Sequence, residues 1–489
     1  MAKALVWFRN DLRTHDHPAL HQAMHAHDAV LGVFCLEPTW FEYRFDGVPK
    51  KSALQWAFLH DSLVDLASRL SVLNVPLFVK FGRPEDVIRA LAEQYDVGDL
   101  YVHDLPGHDE KKALKAVRNV SQLKHHVLFE KTLLHPDDLP FPLEALPEVF
   151  TQFRKAVEST LAVRPALPVP LKQRDLGITG VMETDAIEAR LPNDQAVHRR
   201  FKGGEGAGLD RLKHYSYQTR SLARYKETRN GLLYLDDSSK WSPYLAHGCL
   251  SVRHVYETIR KFERSQAKND STTWMIYELL WRDYFSFIHM RHGNQLFKPG
   301  GLKNLAIDWH ADAGWFTAWT EGRTGYPLVD AAMRELKTTG FMSNRARQNA
   351  ASFLTKNLGI DWRLGAAWFE AHLIDHDVSS NYGNWNYVAG VGNDARDFRF
   401  FNVIKQGQTY DPEGAYAKFW LKALKDVPSS HIYTVHTLPE ALQVAYGCVL
   451  GEDYPTPLVD LFKSAARQKA RYLEAAEIAR RKRGDHDGT

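Results

Sequence analysis

The sequence predicts an α/β domain followed by an all-α domain: an N-terminal doubly wound parallel sheet, a long connector, and a helical C-terminal half. Three observations carry that expectation. Short apolar runs rich in β-branched and aromatic residues alternate with helical patterns up to Leu134, as in a parallel sheet with helical crossovers. From His135 to Gly208 the chain becomes proline- and glycine-rich, as in HPDDLPFPLEALPE, RPALPVPL and FKGGEGAG, a texture that cannot hold a core of its own. Beyond it, apolar residues recur at helical spacing throughout. A chain of 489 residues is also too long for one ordinary core. The expected divisions are an α/β domain over 1–134, a connector over 135–208 and a helical domain over 209–489.

In chain order, the strands are Ala4–Phe8, Ala29–Leu36, Pro76–Phe81, Asp99–His103 and His126–Phe129, with helices over Pro18–Met24, Ser52–Leu73 and Pro84–Gln94. In the second of these helices Leu59, Leu63, Leu66 and Leu70 form one apolar stripe. The first strand-to-helix turn, RNDLRTHDHP, carries neither G-x-G-x-x-G nor a Walker pattern, which argues against a dinucleotide in the usual pose on this sheet. A helix over Pro147–Leu161 interrupts the connector. Ser242-Pro243 then opens a helix, with Ser as cap and Pro at its first position. Trp274–His289, Pro327–Thr338, Ser343–Leu358 and Trp362–Leu373 follow, with Gly340 and Gly359 as terminators. Ser464–Arg483 is amphipathic and ends in Arg480-Arg481-Lys482-Arg483, either a solvated helix end or a nucleic-acid contact.

Composition narrows the function classes. A hydrophobic fraction of 44% with 25% charged residues is that of an ordinary soluble globular protein. No apolar run is long enough for a membrane span, and the opening MAKALVWFRNDLR lacks the apolar core of a targeting signal. Cys35, Cys249 and Cys448 are odd in number and far apart, against a disulfide framework or a structural metal site and in keeping with the cytoplasm or another reducing compartment. A net charge of +3 makes no global case for nucleic acid, so any basic surface must be local. The 13 tryptophans are unusual, and most fall between Trp274 and Trp420, a density that suits a flat ligand as well as core filling.

The stretch from Asp361 to Tyr387, DWRLGAAWFEAHLIDHDVSSNYGNWNY, concentrates the chemistry. Asp361 is a suitable N-cap, and Trp362, Ala366, Phe369 and Leu373 build one stripe. The register breaks at Ile374-Asp375-His376-Asp377, and the run Ser-Ser-Asn-Tyr-Gly-Asn reads as loop. Carboxylates at such a junction must find donors or stay wet. Elsewhere Glu278, Trp281 and Arg282 share one helix face, and Asn344, Arg347 and Gln348 repeat that spacing. Arg347 in a first helical turn opposes the helix dipole, so it answers to an outside anion, with Asp375 or Asp377 the nearest candidates. Tyr225 with Ser238-Ser239-Lys240-Trp241-Ser242 offers hydroxyls, N–H groups and a cation at a helix start, a phosphate seat.

Together these patches resemble one family. SSKWSPYLAHGCLS, YELLWRDYF, TGYPLVDAAMREL, FMSNRARQNAASFLTKNLGIDWR and LIDHDVSSNYGNWNY occur in the order of the FAD-binding region of photolyases and cryptochromes. WFRNDLR and its sheet resemble that family's antenna domain. YVAGVGNDARDFRFFNVIKQG and YDPEGAYAKFW resemble its cryptochrome DASH branch, and the likeness covers nearly the whole chain.

The resemblance implies a blue-light photoreceptor flavoprotein that binds FAD and DNA, with a sensory or transcription-regulatory role, and a monomer. The enzyme it leaves open is a pyrimidine-dimer photolyase driven by electron transfer from excited reduced FAD. By motif position, Tyr225, Ser238, Ser239, Lys240, Trp241 and Ser242 would hold the FAD phosphates and ribityl chain. Arg347 and Asp375 would pair beside the ring system, Asp377 would meet the adenine-ribose side, and Asn381 would face flavin N5. Trp385, Trp362 and Trp309 match the family's electron relay. Glu278, Trp281, Arg282, Asn344, Gln348 and Tyr387 match the segments that receive a flipped pyrimidine dimer. Gln348 stands where double-strand photolyases carry Met, and Tyr387 where they carry Trp, which implies repair confined to single strands. Arg399, with Arg396 and Lys405 nearby, matches a phosphate-backbone contact. Asp109 and Glu110 match the folate-contacting region loosely, which implies methenyltetrahydrofolate as a possible antenna.

Overall fold

The computed structural model describes residues 2–42, 48–120, 122–191, 200–394 and 398–484, with side chains to residue 481. The chain forms two compact units: one of Met1–Lys226, Ser239–Gly293 and Ile374–Ser380, the other of Glu227–Ser238, Asn294–Leu373 and Asn381–Thr489.

The first unit is built on five parallel strands, β1 (Lys3–Phe8), β2 (Ala29–Leu36), β3 (Leu77–Phe81), β4 (Asp99–His103) and β5 (Lys124–Leu128), in the order β3-β2-β1-β4-β5. β2, AVLGVFCL, is buried at every position, the mark of a strand covered on both faces. Leu5, Trp7, Leu31, Val33, Phe78, Leu100 and Val102 form the core around it. The last strand starts at Lys124, earlier than the apolar run suggests, because Lys124 pairs in register with Asp99 of β4. A helix over His108–Val120, which the sequence reading lacks, crosses between β4 and β5.

Chain order reverses direction between β1 and β4. In open α/β sheets that crevice, outside the carboxyl ends of the strands, is where ligands sit. Arg9 and Asp11 follow β1 there, and Asp104 follows β4.

The proline-rich segment carries a short helix, Phe150–Glu158. Helices Glu205–Lys213, Ser242–Ala246, Val252–Ser265 and Asp270–His292 also belong to this unit. The last is longer than the sequence pattern because Asn269 and Thr272 form a reciprocal cap at its start. Buried carboxylates tie the unit's segments together. Asp16 receives a fork from Arg253 at 2.6 and 2.9 Å and the Leu167 N–H at 2.9 Å. Asp283 takes the N–H groups of Leu133 and Leu134 at 2.9 and 2.8 Å.

The second unit is helical: Ala313–Thr320, Pro327–Thr339, Asn344–Ser352, Trp362–His372, Val403–Tyr410, Ala415–Trp420 and Leu461–Gly484. Gly340 and Gly359, at φ +68° and +69°, stop helices as expected. The expected continuous helix over Ser343–Leu358 is two pieces. Ser343 caps it, and after Ser352 it widens into a π-type turn over Phe353–Leu358. Among the described residues no helix is long and apolar enough to cross a membrane. Cys35, Cys249 and Cys448 are buried free thiols.

Candidate functional site

The serine-rich turn is shaped by its backbone. Lys240 is left-handed at φ +56°, and Trp241 follows in the right-handed region at φ −83°, ψ −16°. Consecutive residues of opposite hand turn successive N–H groups toward one point, a nest for an anion. The helix behind it has only five residues, so its dipole adds little. Trp241, not Ser242, is the cap, and Ser242 is the first helical residue. The Ser242 hydroxyl instead donates to Asp375 Oδ2 at 2.6 Å. Ser239 is held from behind, its carbonyl accepting Arg211 Nε at 2.8 Å. Tyr225, Lys240 and Trp241 are buried, and the Trp241 indole N–H has no partner among the described residues. Buried donors are rarely left so, and an acceptor on a ligand seated in the nest would satisfy it.

The acid junction sits in the same unit. His247 Nε2 lies 3.1 Å from Ile374 O, which fixes the segment where the helical register ends. Asp377 accepts Lys131 Nζ and, at 2.8 Å, Ser380 N–H. Burial opposes its charge, but Lys131, Arg282 and the Ser380 N–H outweigh that, so its pKa lies far below the usual carboxylate range. Ser379 Oγ is 2.9 Å from Nδ1 of buried His289, whose pKa desolvation pushes down to about 4. Asp377 therefore caps a helix, and Val378–Ala389 is helical where a loop is expected. Asn381, on that helix and in the second unit, donates its amide to Ala366 O at 3.0 Å.

In the second unit Arg347 donates from Nε to Met342 O at 3.0 Å and lies over the Phe341 ring. The three expected relay tryptophans also fall here. Trp362 and Trp309 donate to the same acceptor, Pro299 O, at 3.0 and 3.2 Å, so their indole nitrogens are neighbours. Trp385 packs on Gly365, where an added Cβ would lie 2.2 Å from its Cη2; Gly365 is on the Trp362 helix. Trp385 and Trp362 are buried and Trp309 is half-buried, so the series grades from core toward solvent.

Of the expected base-pocket residues, Trp281 is half-buried and stacks on Phe150 at 3.7 Å and 12°. Glu278 accepts Trp274 Nε1 at 3.0 Å. Arg282 is spent internally, on the carbonyls of Lys131 and Leu245. In the second unit Asn344 is exposed and Tyr387 half-buried. Gln348 accepts Arg345 Nη1 at 3.0 Å.

Arg345 is a residue that sequence patterning does not single out. It donates to Asn230 Oδ1 at 2.9 Å and lies over the Tyr410 ring. Burial lowers its pKa, Tyr410 opposes that, and Arg229 and Arg399 lower it further. Arg399 is exposed and lies over the Phe401 ring, while Arg396 falls outside the described residues. At the C-terminus Arg481 pairs with Glu477 one turn back, as a solvated helix end does.

At the crevice of the sheet, Arg9 is buried, rests over Trp7 at 4.8 Å, and has no partner for Nη1 among the described residues. Desolvation lowers its pKa against Glu110, Glu37, Asp11 and Asp104. Burial pushes Glu37 up to about 7. Glu110 folds over Gly107, where a Cβ would meet its Oε2 at 1.9 Å, and Asp109 is exposed and 3.7 Å from Lys50. Arg9 and Glu37 could have been noticed as charged residues directly after all-apolar strands. Nearby, Asp11, His17 and Glu130 bring ligand atoms within 4.8 Å of one another. Asp11 pairs with His17 at 3.0 Å and Glu130 with Arg13 at 2.9 Å. His17 Nδ1 accepts the Leu20 N–H at 3.0 Å and Nε2 faces Asp11, so both ring nitrogens are already engaged. The cluster is closed by its own hydrogen bonds and the Arg13–Glu130 pair.

Comparison with known proteins gives the family. Residues 4–172 match the DNA photolyase family model and residues 274–474 the FAD binding domain of DNA photolyase. The chain is 48% identical to Cryptochrome DASH of Gloeobacter violaceus over 98% of its own length and 97% of the relative's. Its fold is similar to the crystal structure of the Synechocystis cryptochrome, with TM-score 0.91, 44% identity, and 96% of this chain and 99% of that one covered. A class III photolyase from Agrobacterium tumefaciens follows at TM-score 0.87 and 29% identity, with 98% of each chain covered. With near-complete relatives at this identity, the chain belongs to the photolyase/cryptochrome family, in its cryptochrome DASH branch.

Proposed function

We propose that this flavoprotein is a blue-light receptor that docks on the phosphate backbone of DNA, with a sensory or gene-regulatory output. FAD, when bound, supplies the blue-light absorption and the electron acceptor. Tyr225, Ser238, Ser239, Lys240, Trp241 and Ser242 hold its phosphates and ribityl chain, supported by the nest at Lys240-Trp241 and the unsatisfied indole N–H. Arg347, held by Met342 O, and Asp375, held by the Ser242 hydroxyl, are each candidates for the ring system. Asp377, fixed by Lys131 and Ser380, keeps lone pairs for the adenine-ribose side. Asn381, with one amide hydrogen committed to Ala366, has its oxygen and second hydrogen left for flavin N5. Trp385, Trp362 and Trp309 pass an electron inward. Arg9 and Glu37 join Asp109 and Glu110 as candidate holders of a folate antenna, whose pterin edge offers donors to carboxylates.

The observation that carries the DNA reading is Arg345, fixed by Asn230 Oδ1 and the Tyr410 ring, in the same unit as the exposed Arg399 over Phe401. Guanidiniums braced in this way suit phosphate, and phosphate contacts give salt-sensitive, weakly sequence-dependent binding. Arg345→Ala should weaken binding of a single-stranded oligonucleotide across sequences and lower the salt slope by about 1. Unchanged affinity and slope in fluorescence anisotropy would remove this reading.

A photolyase acting on single strands is the second reading. It is favoured by the half-buried Trp281, which joins Phe150 at 3.7 Å and Phe285 at 5.5 Å in an aromatic cluster of the kind a displaced base can stack against.

A further inference from the structure

The two outer indoles of the proposed relay share one acceptor. Trp362 Nε1 and Trp309 Nε1 donate to Pro299 O at 3.0 and 3.2 Å, so both lone pairs of that carbonyl are occupied. The oxygen is held still. Gly301 N–H donates to Lys298 O at 2.8 Å, closing a turn with Pro299 and Gly300 at its centre, and a proline there has its φ fixed by the ring. Gly300 O accepts the Leu305 N–H at 3.0 Å, and Gln295 Nε2 donates to Gly301 O at 2.7 Å. A Cβ on Gly300 would lie 2.6 Å from Leu305 O, so the turn packs this closely only with glycine in that place.

The chemistry of the acceptor matters as much as its position. A neutral indole holds its N–H proton firmly, but an indole that has lost an electron is a strong acid. It keeps the proton only if no base meets the N–H. A peptide oxygen has no useful basicity at neutral pH, so it steadies the positive charge without taking the proton away. Hydrogen bonds from an ionised donor are also roughly twice as strong as neutral ones. The titratable groups beside the two indoles are engaged elsewhere. Asp361 holds Arg363 at 2.6 Å, and His310 Nε2 accepts Arg471 Nη1 at 2.6 Å. Tyr382, edge-on to Trp362 at 6.2 Å, donates to Glu370 at 2.8 Å, and Asp308 is exposed.

We propose that the Pro299 carbonyl is the positioning group of the outer relay: it keeps both indoles protonated when oxidised, so that positive charge stays mobile between them until the Trp309 N–H leaves it for water. This rests on the relay reading. Trp362 is fully buried and Trp309 half-buried, so only Trp309 has water to turn to. In the reversible step an electron moves from Trp309 to the Trp362 radical cation, and no proton moves. In the second step the Trp309 N–H bond breaks, the proton goes to water, and a neutral indolyl radical remains. An external thiol then returns one electron and one proton, and the thiyl radicals so formed couple to disulfide. One carbonyl thus sets how long the charge separation stays reversible.

The test uses the full-length holoprotein with glycolic acid in place of Gly300. That exchange turns the Pro299 carbonyl into an ester, a weaker acceptor, and leaves every side chain unchanged. In the dark, the indole N–H resonances of Trp309 and Trp362 should shift together in the ester protein. In the unaltered protein both protons should exchange about tenfold or more slower than those of a free indole. After a flash without oxygen or thiol, absorption separates protonated from deprotonated indolyl radicals. The deprotonated form should appear about tenfold sooner in the ester protein. In Trp309→Phe the charge on Trp362 should stay protonated until it returns. A deprotonated radical in Trp309→Phe, or an unchanged time of proton loss in the ester protein, overturns the proposal. So does a Trp309 N–H that exchanges at the free-indole rate in the unaltered protein, a measurement that needs no variant. If the two resonances move together but the flash leaves no radical on either indole, the relay reading fails and the shared bond is structural only.

Discussion

Replacing Trp385 by Phe should slow blue-light photoreduction of bound FAD by an external thiol by about a hundredfold or more, because a phenyl ring is harder to oxidise than an indole and ~3 kcal/mol on the barrier is already two decades. The fold should survive. Trp385 meets Phe369 edge-on at 5.0 Å and Trp319 at 6.4 Å, and a phenyl ring keeps most of that apolar surface. The readout is bleaching of the flavin band under blue light without oxygen. Unchanged kinetics would mean that electrons arrive by another route. Trp309→Phe should behave differently. On the proposed relay the half-buried indole would pass the positive charge toward solvent, so without it the charge should stay on buried Trp362 and return, giving a first bleach that does not accumulate. Gly365→Ala keeps all three indoles but places a Cβ 2.2 Å from Trp385 Cη2 and 2.5 Å from Leu354 Cδ2. It should cost about 1–3 kcal/mol of stability and slow photoreduction by displacing the ring.

Much of this fold is legible in one dimension, for reasons visible in particular residues. β2 reads cleanly because a strand covered on both faces is a continuous apolar run. The His108–Val120 helix does not, since only Ala113, Leu114 and Val117 face the core among charged neighbours. Val378–Ala389 looks like a turn because of its two serines, its asparagines and Gly383, yet Asp377 caps it and tertiary packing overrides weak propensity. The residues proposed for the flavin side and the relay could be named at all because they lie in long local motifs. Arg345 is not, since its partner Asn230 is 115 residues away. Arg9 escapes for a related reason: a buried cation leaves the same letter in the sequence as a solvated one.

Light-driven repair, measured on one pyrimidine dimer placed first in a single strand and then in a long duplex, should be confined to the single strand. A flipped lesion in a duplex must pay for unstacking and unpairing, on the order of a few kcal/mol. The site must return that energy through apolar and stacking contact. Trp281 can supply one surface, its orientation fixed by Phe150. Gln348 is turned to Arg345 at 3.0 Å, which serves that arginine and removes apolar area that a thioether would offer. Tyr387 in place of a second indole removes more. A shortfall of ~3 kcal/mol corresponds to a duplex kcat/KM about two decades below the single-strand value. The double change Gln348→Met and Tyr387→Trp should narrow that gap by raising duplex repair while leaving single-strand repair nearly constant. If the unaltered protein repairs the duplex as well as the strand, the unstacking energy is being met by groups other than these, and both substitutions lose their meaning. If neither substrate is repaired in light while DNA is still bound through Arg345, the protein is a receptor and not an enzyme, because binding and electron delivery would then be present without a dimer pocket to join them.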